Sequence, residues 1–171
     1  MISVTKLIDI LNKPFLLQWA NNLGLKGTNL KDYKKQVQNE GNDNHLKIEQ
    51  YLKNGILFEG WEKLAKSLEG YELLGTEIDV SNGCINGRLD LALKKDGLIY
   101  VLDLKRNKSV YLSTKLQLSA YKHLYGANKI GFMNTEELQI EILNIDTEKY
   151  FNIIKKLYQI HLLLTELNEK L

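Results

Sequence analysis

Cysteine and proline are nearly absent from this sequence, which has one of each, Cys84 and Pro14. A lone thiol excludes a disulfide framework, a zinc centre or an iron–sulfur cluster assembled from the chain's own thiolates. A reduced, cytoplasmic setting is the expectation. Pro14 lies near the start of a helical pattern, and with no internal repeat or low-complexity tract there is nowhere to place a linker. No apolar run reaches the roughly 18 residues needed to span a bilayer. The opening MISVTKLIDILNKPFLLQW breaks its apolar residues with an aspartate, two lysines and a proline, unlike a secretory h-region. Membrane association is therefore not expected. A large charge excess is also missing: the net charge is +2 and the pI about 8.5. Any phosphate-binding surface must then be local.

What is present suits one domain with a sizeable core: 171 residues, 44% hydrophobic and 26% charged. The first part, residues 1–69, reads as helices. Helical periods occupy 4–11 and 13–23, with Gly24 closing the second, and a polar helix runs from about Asn29 to Glu40. After GNDN comes a helix carrying His45, Ile48 and Leu52, and then 56–69, closed by Gly70. A sheet-and-helix part, 71–143, follows. Strands are expected over 71–80, 84–93 and 98–105, separated by SNG and KKDG, then a helix over 111–125 and strands over 129–133 and 138–143. A helix over 147–171 ends the chain, with Tyr150, Ile153, Ile154, Leu157, Leu164 and Leu167 at its apolar positions. This order specifies an α/β domain whose central sheet has about five strands flanked by helices.

The unusual residues are polar ones inside strands. With Asp96-Gly97 as the two central turn residues, counting back along both strands sets Asp90 opposite Asp103. Facing residues hold their Cβ atoms about 4.5–5.5 Å apart, and like charges there are destabilising. Lys105 shares that face, because side chains alternate with period two. With Asn82-Gly83 in the preceding turn, Glu77 opposes Arg88 and lies diagonally beside Asp90. The other face then carries Leu74, Ile78, Leu89, Leu91, Leu93, Tyr100, Leu102 and Leu104 as a core. Three acids and a lysine on one patch fit a Mg²⁺ or Mn²⁺ ion, which takes carboxylate oxygens and stabilises phosphodiester charge, with Lys105 beside the reacting phosphate. A surface ion-pair ladder of Glu77, Arg88, Asp90 and Lys105 is the alternative.

The ordered set Gly87-x-x-Asp90, Asp103-x-Lys105 and Gln117-x-x-x-Tyr121, preceded by a helical His45, resembles the RecB-like branch of the PD-(D/E)XK nuclease superfamily. The stretch VTKLIDILNKPFLLQWA is similar to the opening of phage-encoded, stand-alone members. The resemblance runs from about Val4 to Tyr125. It implies a restriction-endonuclease-like fold and metal-dependent cleavage of DNA, most simply by an exonuclease of recombination, repair or phage replication. Asp90, Asp103 and His45 would be metal ligands, joined by the backbone carbonyl of Leu104, and Lys105 the catalytic lysine. Gln117 and Tyr121, one turn apart on a helix face, would support the site or touch DNA, and Glu77 fits a further acid. Several relatives carry a four-cysteine iron–sulfur cluster, which this chain cannot build. Others are fused to helicase domains, so here a helicase or recombination protein would be a separate partner. A structure-specific or restriction-type endonuclease and a catalytically silent binding module remain as alternatives.

Arg106, Lys108 and Lys115 lie close enough in sequence to the acids to hold a DNA backbone. Lys94 and Lys95 read as a solvated turn. Tyr111 and Tyr121 suit either base stacking or core packing, and Trp19 and Trp61 suit the core. Cys84 reads as a small buried strand residue, and His123 and His161 as packing or surface residues.

Overall fold

Asp96 and Gly97 both take positive φ, 51° and 76°, the backbone a two-residue hairpin turn requires. They join the antiparallel strands β3 (Ile85–Lys95) and β4 (Leu98–Lys105). The computed structural model describes residues 1–11, 14–106 and 109–168, without the side chains of 14–17, 19, 34 and 36–42. In chain order the remaining elements are β1 (Ile2–Ser3), α1 (Val4–Asp9), α2 (Pro14–Leu25), α3 (Leu30–Asn54), α4 (Trp61–Ser67) and β2 (Glu72–Ser81). After β4 come α5 (Leu112–Tyr125), β5 (Lys129–Asn134), β6 (Gln139–Leu143) and α6 (Thr147–Asn168).

The six strands form one mixed sheet in which β3 is central. β2 pairs antiparallel along one side of β3, while β4 and, further along, the short parallel β1 also pair with it. β4 continues into parallel β5, with α5 as the crossover helix that parallel strands need, and β6 closes the far edge antiparallel to β5. Both faces are covered. Val4, Leu7 and Ile8 of α1, Leu116 and Tyr121 of α5, and Ile154 and Leu157 of α6 pack with Leu89, Ala92, Val101 and Ile130. On the opposite face Ile48 of α3 and Leu64 of α4 pack with Leu91, Leu93, Leu102, Leu104 and Met133.

This arrangement corrects several sequence expectations. The leucines do not share one face: Leu74, Ile78 and Leu89 pack on the α5 side, while Leu91, Leu93, Tyr100, Leu102 and Leu104 pack on the α3 side. Strand alternation breaks in β2, where the register shifts between Leu73 and Gly75 and Glu77 takes a positive φ of 52°. The β2–β3 turn is centred on Gly83-Cys84, because Asn82 Oδ1 accepts the amides of Cys84 and Ile85 and Asn82 N–H donates to Ile85. Asp79, not Glu77, therefore faces Arg88, and Cys84 is exposed at the turn. The GNDN stretch does not interrupt the helix. α3 runs through it, capped by Asn29 at one end and Gly55 at the other, since one glycine costs only about 0.5–1 kcal/mol in a helix. Residues 56–60 are not helical: Gly60 at φ 92° starts the shorter α4. Tyr111, Leu164 and Leu167 are exposed, whereas Tyr121 is buried. Trp61 is half-buried against Tyr51, and the side chain of Trp19 lies outside the described residues.

Candidate active site

β3 and β4 run as an ordinary ladder from the Lys95–Leu98 pair to the Leu91–Leu102 pair. The next facing pair would be Asp90 and Asp103, and there the pairing stops while β4 stays paired with β5 through Lys105. The strands thus part at the two aspartates. In a continued ladder Leu104 would lie opposite Leu89; instead its amide donates to Asp90 Oδ2 at 2.8 Å. A carboxylate has taken the place of a main-chain rung.

The electrostatics follow from that placement. Asp90 is half-buried and its carboxyl is pushed up to about 7. Burial is the largest cause, followed by the Asp103 charge. The Leu104 amide acts in the opposite direction, Glu77 raises it further and Lys105 lowers it. Asp103 is buried. Lys105 Nζ lies 2.8 Å from Asp103 Oδ2, yet that oxygen has no aligned hydrogen-bond donor among the described residues. The contact is an attraction between charges, and the oxygen keeps lone pairs available.

Helices on both faces reach this fork. From α3, His45 Nε2 is 2.8 Å from the Leu104 carbonyl oxygen, so Leu104 is held by Asp90 through its N–H and by His45 through its C=O. From α5, the Tyr121 ring packs on Gly87. A Cβ built on Gly87 would overlap Tyr121 Cε1 and come within 3.1 Å of its Cζ and hydroxyl. The Tyr121 hydroxyl receives a hydrogen bond from Gln117 Nε2 at 3.4 Å. Its acidity is weakened chiefly by burial, with the Gln117 bond opposing. The glycine, glutamine and tyrosine of the sequence pattern are thus one packing unit under the aspartate strand.

The structure brings together Asp90, Asp103, Leu104, Lys105 and His45, with Glu77 close enough to act on Asp90. Arg106 is exposed and bonded to Glu136 Oε1 at 2.5 Å, and Lys115 is half-buried on α5. Lys108 lies outside the described residues. Asn134, not singled out from the sequence, caps the end of the strand beside Lys105; only the parallel β4–β5 register, which no local pattern encodes, would have pointed to it.

Among the described residues, no group of three or more His, Cys, Asp or Glu side chains stands ready to enclose a metal. Two carboxylates, one with an undonated buried oxygen, and a neighbouring backbone carbonyl do fit a hard divalent cation. Mg²⁺ in particular commonly uses one or two carboxylates and completes its shell with water and substrate.

A mixed sheet between helices, with paired acids and a lysine where two strands part, defines a restriction-endonuclease-like nuclease core. The chain belongs to the PD-(D/E)XK nuclease superfamily, whose family model matches residues 14–170. A solved structure described as the crystal structure of SSO0001 is similar to it, at 18% identity and a TM-score of 0.46 over 92% of this chain and 75% of that one. No curated protein matches the chain. No helix among the described residues is long and apolar enough to cross a membrane.

Proposed function

We propose that the protein is a Mg²⁺- or Mn²⁺-dependent deoxyribonuclease, an exonuclease of the RecB-like kind serving recombination, repair or phage replication. The observation that carries the reading is the convergence of Asp90, Asp103, the Leu104 carbonyl and Lys105 where β3 and β4 separate. Asp90, Asp103 and the Leu104 carbonyl would hold the cation, and His45 would exchange its bond to Leu104 for a ligand position. A cation held there would supply charge to offset the phosphodiester and would acidify water. Lys105 brings an ammonium, steered by Asp103, to the side of the reacting phosphate. Tyr121 and Gln117 keep the aspartate strand in place from beneath. The exonuclease reading rests on the Gln117–Tyr121 unit together with His45 on α3, the combination of the RecB-like pattern.

The test offers end-labelled linear DNA and covalently closed circular DNA with Mg²⁺ or Mn²⁺, using wild type, Asp103→Ala and Lys105→Ala. Digestion of the linear substrate alone, abolished in both variants, is expected. Cleavage of the circle would move the protein to the endonucleases, and binding without cleavage of either would make it a silent module.

A further inference from the structure

Past Leu102, β4 has no backbone pairing with β3. Leu104 is held by the side chains of Asp90 and His45, and the backbone of Lys105 and Arg106 is held from the β5 side. Two consecutive carbonyls are secured there. Thr135 N–H donates to the Lys105 carbonyl at 2.8 Å, and Asn134 Nδ2 donates to the Arg106 carbonyl at 3.0 Å. Asn134 is 4% exposed and sits beside Lys105 in the parallel register. Its Oδ1 accepts the amides of Glu136 at 2.9 Å and Glu137 at 2.7 Å, so the amide group is occupied on both sides. Glu136, fixed by that turn, holds Arg106 Nε.

We infer that Asn134 is a positioning residue for the catalytic lysine: its side-chain amide extends the β4–β5 ladder by one rung and fixes the Lys105–Arg106 backbone where β3 no longer supports it. The inference rests on the reading of Lys105 as the catalytic lysine. An asparagine suits the task because one planar group must donate to a carbonyl and accept from two amides. A backbone rung alone stops at Lys105, and displacement of a catalytic group by about 1 Å can cost about 100-fold in rate.

Asn134→Asp separates the two halves of this role. The variant keeps the acceptor for Glu136 and Glu137, as aspartate serves such turns well, but sets an oxygen against the Arg106 carbonyl. Its melting temperature should stay within about 4 °C of wild type. Hydrogen–deuterium exchange in the peptide spanning Leu104–Arg106 should accelerate about 10-fold while the β3–β4 turn is unchanged. On linear DNA, kcat should fall about 10- to 100-fold with KM within about two-fold, the signature of lost transition-state positioning. Unchanged exchange over Leu104–Arg106 would overturn the clamp whatever the activity. Accelerated exchange with wild-type kcat would overturn its link to Lys105. If wild type itself failed to cleave DNA, the nuclease reading would fall, while the exchange result would still decide whether the clamp exists. Asn134→Ala removes both halves and serves as the comparison for loss of the turn.

Discussion

Asp90 bears the largest consequence of any one residue. Its native carboxyl titrates near 7, against an ordinary value of 3.8 in the unfolded chain. Between those values the native state holds a proton that the unfolded state has released, so metal-free stability falls as pH rises from about 4 to about 7 and stays lowered above. Asp90→Asn retains an acceptor for the Leu104 amide and removes the charge. Its melting temperature should exceed that of wild type by about 2–4 °C at pH 8 and match it near pH 4, measured in chelator. An equal offset at both pH values would contradict a titration origin. Gly87 is constrained sterically, since a methyl group there meets the Tyr121 ring. Gly87→Ala should cost about 1–3 kcal/mol in denaturant unfolding, and Gly87→Ala combined with Tyr121→Leu should recover much of it.

Among elements, the β3–β4 hairpin was the most legible. Asp96-Gly97 fixes a two-residue turn, and the observed pairing follows the expected register from Lys95–Leu98 to Leu91–Leu102, one step short of Asp90 and Asp103. The β2–β3 hairpin was misread by one turn position because the side chain of Asn82, and not only its backbone, closes the loop. The continuity of α3 was hidden because a local Gly-Asn signal is only a weak break in a helix capped by Asn29 and Gly55 at its ends. The approach of His45 to Leu104 spans 59 positions, so only the resemblance drew attention to it. That approach makes a prediction about α3. If His45 leaves Leu104 to bind the cation, an imidazole joins oxygen ligands, which favours Mn²⁺ over Mg²⁺. His45→Ala should weaken Mn²⁺ binding about 10-fold or more by calorimetry and leave a Mg²⁺-dependent residue of activity. An unchanged Mn²⁺ affinity would confine His45 to bracing the Leu104 carbonyl.

For the whole molecule, a net charge of only +2 means that DNA affinity must come from a few placed cations rather than a general field. Arg106, Lys108 and Lys115 are the candidates, and Arg106 would give up Glu136 to reach a phosphate. Each contact removed by substitution to alanine should lower the slope of log affinity against log salt by about 0.7–0.9. An unchanged slope in the triple variant would place the DNA on another surface. The convergence of Asp90, Asp103 and Lys105 was legible in the sequence, and what supports them poorly so. Charges inside strands stand out in a sequence, whereas Asn134 and Gly87 matter through contacts between elements far apart in the chain.

The parting of β3 and β4 has a consequence for solubility. A sheet that opens in its interior resembles an outer edge, where an extended segment of another molecule can add as a strand; here Asp90 and His45 already occupy the Leu104 amide and carbonyl. Asp90 reaches across this opening to the Leu104 amide, with Asp103 and Lys105 close by, and charges at a gap between strands oppose such insertion. A variant that neutralises both Asp90 and Asp103 should therefore aggregate more readily than wild type.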